Sequence, residues 1–126
     1  LELDMRSEGV SALAELNRQV DNLIETAEQP GVGFDVQVIG QRPAGAIAPN
    51  HPIIQLAESC LREQGFEPVL TAGSTDANIP LSRGYPALVL GLTQGGGAHT
   101  TQEFIETAPV EKGLAQLVSF VKRVWG

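Results

Sequence analysis

Residues 1–6, Leu1-Glu2-Leu3-Asp4-Met5-Arg6, alternate apolar and polar side chains with a period of two, the pattern of a half-buried strand. The period then changes. Leu13, Leu16, Val20, Leu23, Ile24 and Ala27 recur every three or four positions, which predicts an amphipathic helix over residues 11–29 with an acidic outer face, stopped by Pro30-Gly31. Alternation returns through Phe34, Val36 and Val38, a second strand over residues 33–39. Residues 40–50 hold two prolines and two glycines, break both periods and read as a linker. Asn50 or His51 then caps a helix with Pro52 in its first turn and an apolar stripe of Ile53, Leu56, Ala57, Cys60 and Leu61. Residues 68–71 form a short strand that leads into a polar loop at 73–78. Residues 86–91 are apolar without alternation, as in a strand buried on both faces of a parallel sheet, and open into a second loop over 95–103. The last helix begins near Thr107, has Pro109 in its first turn and is expected to bury Leu114, Leu117, Val118, Val121 and Trp125. The class expected is α/β or α+β.

Charge divides the chain where the linker does. Residues 1–48 carry a net charge of −5 and residues 49–126 carry −2, so two subdomains joined near residue 48 are expected. The total of −7 argues against non-specific nucleic-acid binding and against docking on anionic lipid. The single cysteine, Cys60, cannot close an intramolecular disulfide. The chain therefore does not depend on an oxidising compartment, and a cytoplasmic location is expected; no apolar run approaches the roughly 18 residues of a membrane span, and no secretory signal appears. The chain opens on Leu1 in mid-strand rather than on Met, which suggests part of something longer.

The two polar loops follow strands, and open α/β sheets bind ligands at the carboxyl ends of their strands. In the second loop Gly95, Gly96 and Gly97 let backbone approach a ligand, and His99 follows at once. A neutral imidazole there can take a metal at about 2.0–2.1 Å, with Glu103 or Thr100 near enough to orient it; an exposed loop histidine is the alternative. Ser74, Thr75, Asp76 and Asn78 in the first loop suit a carboxylate or peptide group, or else satisfy their own turn. Arg42, before Pro43, offers a guanidinium fork for a carboxylate, or is simply solvated. Arg6 pairs most simply with Asp4 or Glu8. Cys60 reads as a core thiol and His51 as a helix-start residue. No serine stands in a Gly-x-Ser-x-Gly setting, and two histidines without a His-x-Asp or Glu-Glu pair can contribute to a metal site but hardly build one.

In order and spacing, Gly73-Ser74-Thr75-Asp76-Ala77-Asn78, Gly84-Tyr85-Pro86-Ala87 and Gly95-Gly96-Gly97-Ala98-His99-Thr100-Thr101-Gln102-Glu103 resemble the carboxyl-terminal part of the M20 metallopeptidases. That group includes aminoacylases, acetylornithine deacylases, glutamate carboxypeptidases and tripeptidase-like enzymes. Upstream, residues 2–7 resemble the Asp-x-Arg strand of the family's lid or dimerisation domain, and residues 40–45 its exit into the catalytic domain. The resemblance covers essentially the whole chain. It implies that 1–45 is the second half of a ferredoxin-like lid, a strand-helix-strand unit, and 46–126 the last part of a mixed α/β catalytic sheet. It implies two divalent ions, zinc with cobalt or manganese as alternatives, which activate water to cleave a peptide or an N-acyl amino acid.

His99 is then a metal ligand, while Arg6, Arg42, Ser74, Thr75, Asp76, Asn78, Gly96 and Gly97 face the substrate. The general base and the other metal ligands would precede Leu1, so the isolated chain is expected to be inactive, and a homodimer through the lid is implied. Two other classes stay open: a non-enzymatic small-molecule binding or regulatory α/β domain, and a structural reading in which the edge of the first half pairs with another chain.

Overall fold

A computed structural model describes residues 1–126. The elements are α1 (Val10–Ala27), α2 (Pro52–Glu63), α3 (Asn78–Ser82), β1 (Gly95–Gly96), β2 (Phe104–Ile105) and α4 (Val110–Trp125). This is a mixed helix and sheet chain whose sheet is one antiparallel ladder, Gly95 opposite Ile105 and Gly96 opposite Phe104. It divides into two compact units. The first holds Leu1–Ala46 and Ala72–Ala87; the second holds Ile47–Thr71 and Leu88–Gly126. No helix is long and apolar enough to cross a membrane.

The three long helices form where the three- to four-residue period places them. In the first unit α1 opens after Gly9, whose N–H donates to Ser7 Oγ at 3.1 Å, and ends before Pro30, where Gln29 and Val32 bridge across a tight turn. On its outer face Arg18 donates through Nε to Glu15 at 2.9 Å and Gln19 donates to the same carboxylate at 2.8 Å. These bonds, Arg18 first, hold the Glu15 carboxyl below its ordinary value. In the second unit the α2 start follows from its sequence: Pro52 fits the first turn without needing an N–H, and His51 Nδ1 accepts the Ile53 N–H at 3.2 Å. His51 is a cap, as its position suggests. The α2 helix then packs against α4. Ile54, Ala57 and Cys60 are buried on α2, Cys60 with no exposure at all, and Gly113 and Gln116 on α4. Cys60 Sγ donates to Ser119 Oγ at 3.7 Å, and Arg123 donates to Glu63 at 2.7 Å.

Several expected elements differ. Residues 1–6, 33–39, 68–71 and 86–91 carry no ladder. Alternation fits a strand only where another strand stands alongside to accept its hydrogen bonds, and these segments have none. Phe34, Val36, Val38 and Ile39 are exposed, as are Val69, Leu70 and Val89. The α4 stripe is also reassigned: Leu114, Val118, Val121 and Trp125 are exposed, Trp125 to 81%. The covered face is the one bearing the smallest residue, Gly113, against which the backbone of Leu92 lies. The exposed area totals 9834 Å². Two independent globules, each of half this chain's mass, would together expose only roughly 7,800 Å².

Candidate functional site

The first unit gathers five of the sequence-selected residues, Arg42, Ser74, Thr75, Asp76 and Asn78. Arg42 leaves the irregular segment before Pro43, and its Nη1 donates to Ser74 Oγ at 3.1 Å across 32 residues of chain. Its Nη2 lies 3.8 Å from Asp76 Oδ1. The turn that presents Ser74 and Asp76 is built by its neighbours. Asn78 Oδ1 accepts the Thr75 N–H at 2.9 Å, and Thr75 Oγ1 accepts the Ala77 N–H at 3.3 Å. Asn78 Nδ2 donates to the Pro43 carbonyl at 3.0 Å, tying the turn to the segment that carries Arg42. Thr75 and Asn78 are therefore spent on the backbone, as Ser, Thr and Asn in such turns often are. Ser74 and Asp76 are the two that face the guanidinium.

Gly45 sets the closeness of this arrangement. A Cβ built on it would lie 2.6 Å from the Ser82 nitrogen and 2.7 Å from the Leu81 carbonyl carbon, so α3 rests directly on backbone. Beside it is a cleft of about 340 Å³ lined by Val10, Leu13 and Ala14 of α1 and by Pro43, Ala44 and Ser82. None of these lining residues, nor Gly45, is marked by the sequence as a site residue. Leu13 looks like an ordinary helix position and Val10 falls just before the helix that the period predicts, and only the fold shows that they flank the Arg42 segment.

Arg6 stands elsewhere in the same unit, bound through Nε to Asp4 Oδ2 at 2.8 Å and largely exposed. Its hydrogen bond holds the Asp4 carboxyl below the ordinary value. That is the simplest of the pairings its spacing suggests.

Gly96, Gly97 and His99 belong to the second unit, Gly96 at the end of β1 and Gly97 and His99 in the loop between β1 and β2. Gly97 has φ 65° and sits where a Cβ would be 2.8 Å from the Gln102 carbonyl, so only glycine fits. Thr100 Oγ1 donates to the Gly97 carbonyl at 2.7 Å and accepts the Gln102 N–H at 3.2 Å, closing the loop on itself. His99 also has φ 65°, a left-handed conformation uncommon outside glycine, though histidine is among the residues enriched there. Its backbone N–H donates to Glu103 Oε2 at 3.3 Å, so Glu103 braces the His99 backbone. The imidazole is exposed.

A two-ion centre needs several acidic and imidazole donors at once. Within either unit no group of three or more His, Cys, Asp and Glu side chains could hold a metal ion. This chain's own donors do not form such a centre; His99 offers a single imidazole.

The model of a family described as peptidase family M20/M25/M40 matches residues 4–123. No curated protein matches the chain.

Proposed function

The chain belongs to peptidase family M20/M25/M40, and from that premise we propose that it binds the free carboxylate of a peptide or N-acyl amino acid at Arg42 and Ser74 in a metal-dependent amide hydrolase. The observation that carries this reading is the convergence of Arg42 with the Ser74–Asp76 turn in the first unit. A guanidinium presents parallel N–H donors that match a carboxylate, and a hydroxyl beside it can donate to the same oxygens. The adjoining cleft, lined along α1 by Val10, Leu13 and Ala14 together with Asn17, suits an acyl group or an apolar side chain with room for one polar contact.

N-acetylphenylalanine and its carboxamide differ only in that carboxylate. Arg42→Ala weakens binding of the acid about tenfold, the lower end for a hydrogen bond to a charged group because Arg42 is half-exposed, and leaves the amide within about twofold. A calorimetric titration that finds equal losses for both would remove the carboxylate role.

His99 supplies one imidazole donor to the metal site in this reading, the remaining donors coming from outside residues 1–126. The constrained loop that projects it from the Gly-rich turn supports the assignment. In the protein that carries this chain, His99→Ala empties one of two zinc positions, measured by metal analysis after dialysis. Unchanged zinc content would sink the assignment.

A further inference from the structure

Asp76 is the one polar side chain of the 74–78 turn that neither builds the turn nor makes a hydrogen bond to Arg42. Thr75 and Asn78 hold backbone, and Ser74 accepts from Arg42 Nη1. The Asp76 carboxylate is fully exposed and stands 3.8 Å from Arg42 Nη2, a charge contact beyond hydrogen-bonding distance. A ligand carboxylate bonded to that nitrogen would come closer to it than Asp76 does, and would bring a second negative charge against the first. We infer that Asp76 is an internal counter-ion which a carboxylate ligand must displace from Arg42, and that it thereby sets how tightly this site holds anions. The inference rests on the carboxylate reading of Arg42.

The ion pair is exposed, so it is weak, and that is what lets a ligand displace it. It still lowers anion affinity in two ways. The guanidinium is partly neutralised before the ligand arrives, and like charges lie close together once it has bound. Both effects are electrostatic at a solvated surface and fade as salt shortens the screening length from about 10 Å at 0.1 M to about 3 Å at 1 M. A neutral ligand feels neither. Asp76 on this account does not recognise the ligand; it discriminates against anions that cannot make the paired contact with the fork.

The test is titration of the whole 126-residue chain with N-acetylphenylalanine and with N-acetylphenylalaninamide, at low and at high salt. Asp76→Asn and Asp76→Ala are each expected to tighten the acid about two- to fivefold at low salt, less at 1 M, and to leave the amide unchanged. Using both variants separates loss of charge from any hydrogen bond made by the new amide. If the variants bind the acid no better, or more weakly, Asp76 is instead a holder of Arg42 and the inference is overturned. The Arg42 reading survives that result provided the original chain prefers acid to amide and Arg42→Ala loses the preference. If the original chain binds both ligands alike, or neither, the Arg42 reading fails and the inference falls with it.

Discussion

Gly45→Ala is expected to cost the first unit about 3 kcal/mol and to weaken carboxylate binding at Arg42 together with it. The Cβ would fall within 2.7 Å of three atoms of Leu81 and Ser82, two of which are backbone, so no rotamer change relieves the clash. Overpacking of this kind costs about 1–3 kcal/mol, and here the upper end applies. Moving α3 away to make room breaks the Asn78 bond to the Pro43 carbonyl, a further ~1 kcal/mol. Against this, alanine restricts the unfolded chain and returns about 0.4–1 kcal/mol. Either way out, unfolding the unit or shifting α3, parts Ser74 and Asp76 from Arg42. Gly40→Ala is the control, since a Cβ there meets nothing within 4 Å. Urea unfolding of the two variants gives the comparison, and a Gly45 variant as stable as the Gly40 variant would mean that the two segments do not rest on one another.

Gly113→Ala is expected to destabilise the second unit by about 2 kcal/mol, although it improves helix propensity. In the middle of a helix the exchange should gain about 1 kcal/mol. Here the new Cβ would run into the Leu92 carbonyl oxygen and stand 2.6 Å from its carbon. That overlap lies far below any contact distance and calls for the upper end of the overpacking range, about 3 kcal/mol, which leaves the net loss. Gly91→Ala, in the same unit with nothing within 4 Å, should be neutral or gain about 0.4–1 kcal/mol. Opposite signs for two glycine-to-alanine changes in one unit are the diagnostic result. A Gly113 variant that is stabilised would show that Leu92 does not lie against α4.

How much of this was legible in the sequence follows from the range of each interaction. The three long helices and the His51-Pro52 start are local: their hydrogen bonds close within four residues, so period and cap residues suffice. The four expected strands depend on partners elsewhere, and the same alternation of Phe34, Val36 and Val38 reads identically with or without one. The α4 stripe illustrates a different gap. Leu114, Val118, Val121 and Trp125 are the residues that hydrophobicity selects, whereas closeness of approach selects Gly113 and Gln116. At the candidate site, residue type picked out Arg42 and the Ser74–Asn78 turn, and chemistry alone carried that choice. Their convergence across 32 residues, and the division of the turn into Thr75 and Asn78 that build it and Ser74 and Asp76 that face Arg42, are tertiary facts with no sequence signature.

The lone thiol between α2 and α4 also makes the molecule its own clock. Cys60 has no exposed surface, and it is the only cysteine in the chain. An alkylating reagent in solution can reach it only during the moments when the two helices part. Its labelling rate, divided by that of a free thiol, therefore counts how often this pair opens, with no engineered tag and no second reactive site to confuse the signal.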